Sequence, residues 1–461
     1  MMPTRSSSGR NNFIGEDNRW TDALPICKES GIGSSSNCIY REDGLRQLEH
    51  EYEDQSFHFK CDDKTSMYGI FDGHDGYEVA KYALDTIAAE VLLNQLEDKI
   101  SDEDVKTVLK NAFNAVERNY NASIDDKLAE KASLQMEIPE NLTPYEAYQR
   151  NPRAVDRLNA INTELSCGSS AVVALIHLNR LYVANVGDSR ALLCRTDQDG
   201  VLRVIQLSQD HVLLNEDEIL RLNTLGIPRE RIMKGFRLGS QEHTRCLGHY
   251  LVKGGYVEFE ELACACSEPV IADPEITGGI PIESCHRFLI LMSSGLYRSL
   301  EEATGTDYVN KDLVQMIVEQ FRIQSTLTGV AQAVVDKVVR IHHDFYMNRT
   351  ISDRVAVSKR EDITLLIRNF NFPLPNARSP SCSNDIFMNN ADAEKLGTSS
   401  STSDSHHDTY DTNDSETNGS NRKSAILSSG RILPYVDFRP YYENVETAKL
   451  EGSLPEDIDF F

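Results

Sequence analysis

The sequence is short of positive charge and of long apolar runs. Its 461 residues carry 47 lysines and arginines against 72 aspartates and glutamates, a formal net charge of −25 at pH 7. Cations so few and dispersed cannot neutralise a run of phosphates, so we expect no binding to nucleic acid. No run approaches the roughly 18 apolar residues that a membrane helix needs, and the first residues lack the apolar core of a signal peptide. We therefore expect no membrane span.

Cysteines are few and irregularly spaced. Among the ten, the only close pair is Cys264-Ala265-Cys266, whose thiols would alternate across a strand. That spacing suits neither a zinc knuckle nor a redox pair. Free thiols in a reducing compartment are the simplest interpretation, and we predict a cytoplasmic protein.

The pattern of apolar residues predicts an α+β fold. Apolar, β-rich runs occur at residues 67–71, 170–178, 181–194, 202–207, 288–292 and 363–370, and helical periodicity covers 79–96, a stretch opened by Ser101, 145–165, 216–225, 311–322 and 327–346. Strands, a helical pair, many strands and then helices before a last strand indicate helices packed on a pair of sheets. We place the end of this domain near Phe372.

The composition changes beyond Pro373. Residues 379–429 are rich in Ser, Thr, Asn and Asp and have almost no apolar pattern, so they cannot bury enough surface to offset chain entropy. A dense aromatic cluster then begins at Arg431. We predict a flexible N-terminus at 1–19, a folded domain at 20–372, a disordered linker at 373–430 and a binding segment at 431–450.

The aromatic cluster predicts a partner-binding site. Its anchors are Tyr435, Val436, Phe438, Tyr441 and Tyr442. Aromatic rings offer large contact area with few rotors to immobilise, and a disordered chain carrying them would fold on docking into an apolar groove. The alternative is a tail that folds back onto its own domain, but the long polar linker argues against it.

Four acidic turns are scattered along the folded part. They are Glu42-Asp43, Asp72-Gly73-His74-Asp75-Gly76, Gly187-Asp188-Ser189-Arg190 and Glu361-Asp362. A carboxylate followed by glycine at a strand end can offer two oxygen ligands to one hard cation, the side chain and the next carbonyl. Each turn alone is also typical of an ordinary hairpin.

Together and in this order, the four turns resemble the metal-dependent serine/threonine phosphatases of the protein phosphatase 2C family, over about residues 31–370. The resemblance implies a β-sandwich flanked by helices. It also implies that Asp72 bridges two Mg²⁺ or Mn²⁺ ions, that the Gly73 carbonyl and Asp362 bind directly, and that Glu42, beside Asp43, binds through water. His74 would be a general acid for the leaving alcohol, and Asp188 would help to hold a third ion.

Two departures from the family pattern fall where catalysis is most sensitive. Ser294 replaces a metal-binding carboxylate with a neutral hydroxyl. Cys38 stands where the family carries the arginine that clamps the substrate phosphate, and a thiol makes no charge-assisted bonds of that kind. Because two-metal catalysis needs both ions, we expect a pseudophosphatase with a vestigial His74 and vestigial ligands Asp72, Gly73 and Asp362. An active enzyme with residual Mg²⁺ or Mn²⁺ is the alternative.

Further stretches resemble a non-catalytic branch of the same family, the binding and activating subunits of the transforming-growth-factor-beta-activated kinase. They are residues 20–27, 123–135, 330–336 and Pro434-Tyr435-Val436-Asp437-Phe438. This resemblance implies a signalling adaptor that needs no cofactor. It would bind the kinase domain through residues 431–450 and promote kinase autophosphorylation, with a downstream mitogen-activated protein kinase as a further partner.

Overall fold

A computed structural model describes residues 20–93, 95–97, 99–139, 142–235, 237–349 and 357–375. The predicted N-terminus at 1–19 and the binding segment at 431–450 lie outside these residues, as does nearly all of the predicted linker. The expectations for those three segments, including the five aromatic and apolar anchors, therefore stay predictions.

The described strands lie in four stretches of the chain, at residues 30–74, 168–206, 247–292 and 359–369. They are β1 (Ser30–Ser35), β2 (Cys38–Tyr40), β3 (Arg46–Gln47), β4 (Gln55–Lys60), β5 (Thr65–His74), β6 (Gly168–His177), β7 (Arg180–Val186), β8 (Arg190–Thr196), β9 (Leu202–Gln206), β10 (Leu247–Gly248), β11 (Glu275–Pro281), β12 (His286–Met292), β13 (Lys359–Arg360) and β14 (Ile363–Asn369).

The described α-helices lie in three groups between these strands. They are α1 (Glu78–Leu92), α2 (Asp102–Ser123), α3 (Asp125–Glu137), α4 (Pro144–Arg150), α5 (Pro152–Ser166), α6 (Glu216–Thr224), α7 (Arg229–Gly235), α8 (Ser294–Thr304), α9 (Val309–Phe321) and α10 (Leu327–Asn348). The predicted start at Ser101 is confirmed, since its hydroxyl accepts from the Asp104 N–H at 3.1 Å and caps α2. The single helical pattern predicted over 145–165 is two helices, because α5 starts afresh at Pro152.

Two antiparallel sheets form a sandwich. One has the strand order β1-β14-β12-β8-β9, and the other has the order β11-β7-β6-β5-β4 with β10 beside β6. Buried side chains from both sheets meet in one apolar layer that includes Tyr68, Val172, Leu193, Leu289 and Leu366. Each such side chain contributes about 1.5–3 kcal/mol when it is fully buried.

Helices cover the outer faces of the sandwich. Strand β5 turns Tyr68 inward, and its neighbour Met67 packs with Ile87 of α1 and Phe113 of α2 in a second cluster. On the other sheet, Ile317 of α9 and Val334 of α10 pack in a third cluster. This layering confirms the predicted α+β sandwich flanked by helices.

The strand pairing brings several loops to one edge of the sandwich. Met292, the last residue of β12, pairs with Leu365 of β14, so the start of α8 lies beside the residues that precede β14. Asp72 of β5 pairs with Ser170 of β6, and the turn between β7 and β8 follows at the same edge. Three of the four acidic turns, those that contain Asp72, Asp188 and Glu361-Asp362, are therefore carried by elements that end close together.

A search of the described helices finds no segment with the length and apolar character of a membrane span. The cysteines in this part of the chain are free thiols.

Candidate functional site

A cleft of about 690 Å³ lies at this edge of the sandwich. Its acidic lining residues are Glu49, Glu53, Asp72, Asp75, Glu242, Glu302, Glu361 and Asp362, and its lysines and arginines are Arg237, Arg298, Lys359 and Arg360. His50, His74, His243, His249 and Ser294 also line it. Carboxylates outnumber fixed cations, so the chemistry of the cleft depends on how each carboxylate is neutralised.

Asp72 is held by the serine that replaces the expected ligand. Ser294 donates to Asp72 Oδ2 from its backbone N–H at 2.8 Å and from its hydroxyl at 2.7 Å. Burial and the nearby Asp188 carboxylate raise the pKa of Asp72, and the two bonds from Ser294 oppose that rise. Both hydrogen bonds from Ser294 therefore occupy the same carboxylate oxygen of Asp72.

Asp362 is buried, and both of its carboxylate oxygens accept hydrogen bonds from neighbouring loops. Its Oδ1 accepts from the backbone N–H of Asn37 at 2.6 Å and from the Asn37 side chain at 2.9 Å. Its Oδ2 accepts from the Glu53 N–H at 2.9 Å. Both oxygens thus bind protein donors that fasten the β1–β2 connection and the start of β4 to β14.

The structure does not bring Glu42 and Asp43 to the cleft. They lie in the exposed turn between β2 and β3, where Asp43 pairs with Arg41 at 3.0 Å and accepts from the Leu45 N–H at 3.0 Å. Neither lines the cleft. A metal role for Glu42 and Asp43 has no support from their position.

Glu53 and Asp54 are the acidic pair that faces Asp72. Gln55 pairs with Phe71, and this register places the preceding Asp54 and Glu53 beside Asp72 and Gly73. The contact is so close that a Cβ on Gly73 would lie 2.6 Å from the Glu53 carbonyl oxygen. The sequence did carry a signal, because a Glu-Asp pair directly precedes β4 just as Glu361-Asp362 precedes β14.

Glu53 and Asp54 have perturbed acidities. Burial raises the pKa of Glu53 to about 7, although the His50 side chain, 3.4 Å away, lowers it. Burial and the charge of Asp72 raise the pKa of Asp54 well above its usual range. Asp54 Oδ2 accepts from the Thr364 hydroxyl at 2.7 Å. Carboxylates with raised pKa values in a cleft are typical of functional sites.

Asp188 is neutralised by protein cations. Its Oδ2 accepts from Arg298 at 2.7 Å and from the Tyr297 hydroxyl at 2.9 Å, and its Oδ1 lies 3.0 Å from His243 Nε2. Burial alone would raise the pKa of Asp188, but the charges of His243 and Arg298 hold it well below its usual range. Arg190, two residues along the same turn, pairs with Asp210 at 2.7 Å.

His74 lies in a group of three histidines. Its ring centre is 5.4 Å from that of His243 and 5.4 Å from that of His249, and its buried Nε2 has no hydrogen-bond partner. Burial and the charge of His243 lower the pKa of His74 well below its usual range. A histidine that is neutral at pH 7 is a poor general acid.

Cys38 does not reach the cleft. It is buried with Tyr40 and Tyr346 in a small cluster behind β2. Its partner across the strands, Arg360, lines the cleft but donates from Nη1 to the Glu361 carbonyl at 2.8 Å and from Nη2 to the Ser35 hydroxyl at 3.1 Å. A phosphate that bound Arg360 bidentately would have to displace these bonds.

The donor set does not fit a divalent ion. Mg²⁺ and Mn²⁺ need several oxygen ligands that converge at short range. In the described residues no group of three or more His, Cys, Asp or Glu side chains is arranged to hold a metal. Asp72, Asp188 and Asp362 instead accept hydrogen bonds from Ser294, Arg298 and Asn37, so each of these three carboxylates has a protein donor where an ion would bind.

Comparison with known proteins points to one family. The protein phosphatase 2C family profile matches residues 125–342. The chain is 25% identical over 353 residues to "TGF-beta-activated kinase 1 and MAP3K7-binding protein 1" of Caenorhabditis elegans, over 76% of this chain and 83% of that protein. It is 27% identical over 350 residues to "Probable protein phosphatase 2C 21" of Arabidopsis thaliana, over 69% of this chain and 82% of the relative.

Solved phosphatase structures are more distant. The crystal structure of serine-threonine phosphatase 2C from Toxoplasma gondii aligns with a TM-score of 0.44 and 16% identity, over 76% of this chain and 97% of that chain. The family profile and the curated relatives confirm the predicted resemblance to the phosphatases and to their kinase-binding branch. Residues 125–342 therefore match the protein phosphatase 2C family, and the chain is similar over most of its length to phosphatases and to a kinase-binding protein of this kind.

Proposed function

We propose that this chain is a signalling adaptor that binds and activates a mitogen-activated protein kinase kinase kinase, the transforming-growth-factor-beta-activated kinase. Its phosphatase fold is catalytically inactive or nearly so. The similarity to the worm protein whose name describes binding to that kinase supports the choice of partner. The observation that carries the inactivity is the pair of bonds from Ser294 to Asp72 Oδ2.

The proposed inactivity follows from the protein groups that compensate the negative charge of the cleft carboxylates. Two-metal phosphoryl chemistry uses the ions to generate hydroxide and to compensate the charge that develops on phosphate. Here a hydroxyl takes the place of one anionic ligand, and Arg298 pairs with Asp188. We therefore propose that the protein needs no cofactor, and that residual Mg²⁺ or Mn²⁺ binding, if measured, is weak.

Activation of the kinase is assigned to residues 431–450. An aromatic segment that binds the active arrangement of the kinase more tightly than the inactive one shifts the population toward the active state and promotes autophosphorylation. The folded domain would then recruit further proteins, including a downstream mitogen-activated protein kinase, to the same complex. We place this activity in the cytoplasm.

Kinase autophosphorylation in the presence of the full chain tests this function. Phe438→Ala removes a central anchor and should weaken binding to the kinase domain at least about tenfold, with a matching loss of autophosphorylation. Phe387→Ala, an equal truncation in the predicted linker, is the matched control and should leave both unchanged. Equal binding by the two variants would contradict the assignment of this segment.

A second candidate is an active Mn²⁺- or Mg²⁺-dependent protein serine/threonine phosphatase. It is favoured by the intact turn from Asp72 to Gly76 at the cleft and by relatives named as probable phosphatases. This reading predicts hydrolysis of a phosphopeptide that Asp72→Ala abolishes and Ser294→Asp increases. A hydrolysis rate that neither substitution changes would rule out this phosphatase function.

A further inference from the structure

Arg298 projects into the most acidic part of the cleft. Its Nη2 lies 2.7 Å from Asp188 Oδ2, and its Nη1 lies 3.7 Å from Glu361 Oε1 and 3.7 Å from Glu242 Oε2. The side chain is 29% exposed, whereas that of Asp188 is 1% exposed. One guanidinium therefore approaches carboxylates from three separate segments of the chain.

Helix α8 places Arg298 and Ser294 on the same side. Residues four apart on a helix share a face, and Ser294 is the first residue of α8. From that face Ser294 binds Asp72 and Arg298 binds Asp188. Ser294 also lies 3.4 Å from Glu361 through its hydroxyl. The first turn of α8 thus supplies donors to three of the acidic groups at which a divalent ion would have to bind.

We propose that Arg298 is the resident cation of this cleft, holding by a fixed side-chain charge the carboxylates that would otherwise recruit a divalent metal ion. Ser294 completes the arrangement by holding Asp72. We build here on the proposed inactivity of the cleft and not on kinase binding. Two features then keep metal ions out of the site, the missing ligand at Ser294 and the resident cation at Arg298, rather than the missing ligand alone.

Competition between Arg298 and an incoming ion follows from their charges. A guanidinium stays protonated at all relevant pH values, so it cannot be neutralised to admit a second cation. A divalent ion beside it would meet like-charge repulsion at a few ångströms in a partly desolvated site, where such terms are large. It would also have to break the bond between Arg298 and the buried Asp188, which is costly because it leaves a charge uncompensated.

Mn²⁺ binding to the full chain tests the proposal. Loss of the free-ion signal in electron paramagnetic resonance reports bound Mn²⁺ without any need for catalysis. We expect no binding by the unchanged protein and weak binding by Ser294→Asp. The double variant Ser294→Asp with Arg298→Ala should bind at least roughly 100-fold more tightly than Ser294→Asp alone, because it also loses the competing charge of Arg298. Equal affinity of these two variants would overturn the proposal.

Arg237→Ala is the matched control. Arg237 lines the same cleft and pairs with the exposed Glu242 at 3.5 Å. The side-chain partners of the Asp188 carboxylate within the described ranges are Ser170, His243, Tyr297 and Arg298. Combined with Ser294→Asp, Arg237→Ala removes the same charge from the cleft without freeing Asp188, and should change Mn²⁺ affinity no more than about threefold. If Arg237→Ala raised Mn²⁺ affinity as much as Arg298→Ala does, the net charge of the cleft alone would determine that affinity. This result would also overturn the proposal.

Arg298→Gln guards against a variant that fails to fold. Glutamine removes the charge and the guanidinium bond to Asp188 but keeps a polar side chain of intermediate length, and it should also raise Mn²⁺ affinity when combined with Ser294→Asp. Thermal unfolding gives a second measurement, since added Mn²⁺ should raise the midpoint of both double variants and not that of the unchanged protein. Kinase autophosphorylation, which depends on Phe438, should stay the same in all of them, so failure here is distinct from failure of the adaptor function.

Discussion

Ser294 donates its backbone N–H and its hydroxyl to the same oxygen of Asp72, Oδ2, over 2.8 and 2.7 Å. The residue that takes the place of a carboxylate ligand therefore also binds the carboxylate that would have bridged two ions. A neutral side chain can satisfy this aspartate only by donating to it, and each donated bond competes with a cation for the same lone pairs.

Ser294→Ala should destabilise the protein by about 1–3 kcal/mol. The substitution deletes the hydroxyl bond to Asp72 and leaves a charged group short of one donor, while the backbone bond stays. Urea unfolding of the full chain measures the change. Thr163→Ala is a suitable control, because the Thr163 hydroxyl donates to the Asn159 carbonyl on the exposed face of its own helix. That variant should stay within about 0.5 kcal/mol of the unchanged protein.

Gly295→Ala should disturb the start of α8. A Cβ at this position would lie 2.0 Å from the Asp362 carbonyl oxygen, so α8 and the residues before β14 must separate. We expect a loss of about 2–3 kcal/mol in the free energy of unfolding, from overpacking against backbone. In Gly329→Ala the nearest atoms to the new Cβ are side-chain oxygens rather than backbone, those of Thr326 at 2.9 Å and Gln324 at 3.2 Å, and we expect a cost of less than about 1 kcal/mol. Similar values for the two would contradict this reading of Gly295.

Glu218→Gln should be strongly destabilising at pH 7. The buried Glu218 carboxylate binds Arg221 through Nε at 3.0 Å and Arg245 through Nη2 at 2.6 Å, and so ties α6 to the segment before β10. Removal of its charge leaves two arginines poorly paired, which should cost roughly 3 kcal/mol. Glu216→Gln, which breaks the exposed pair with Arg229, is the control and should have no measurable effect.

The same carboxylate predicts a pH dependence. Burial alone would raise the pKa of Glu218, but the bond from Arg245 and the charge of Arg221 lower it from 4.5 to about 2. Because the folded-state pKa lies below the unfolded one, the stabilisation is complete above about pH 4.5 and is lost as the pH falls toward 2. Urea midpoints measured between pH 6 and pH 3 should fall less in Glu218→Gln than in the unchanged chain. Urea midpoints that fall in parallel with pH in the two proteins would contradict this role of Glu218.

Local sequence patterns predicted much of the architecture and part of the cleft. Apolar runs that end in Asp72 and in Ser293 mark strand ends, since a charged or polar residue after a buried strand must leave the core. The break at Pro152 was readable too, because a proline at the first position starts a new helix rather than continuing one.

The rest depends on contacts between distant segments. The choice of Glu42-Asp43 failed because nearness to β5 is decided by strand register, and Gln55 rather than Arg46 pairs with β5. Arg298 was missed for a similar reason. Its partners Asp188, Glu242 and Glu361 come from three loops that only the folded sandwich brings together, and a lone arginine in a helix pattern gives no sign of them.

Release of phosphate from a phosphothreonine peptide by the full chain, with Mn²⁺ and beside Asp72→Ala, tests the central claim most directly. We predict that the two proteins show the same background rate, because the cleft holds its carboxylates with Ser294 and Arg298 and not with paired ions. Sustained Mn²⁺-dependent turnover by the unchanged chain that disappears in Asp72→Ala would contradict the account.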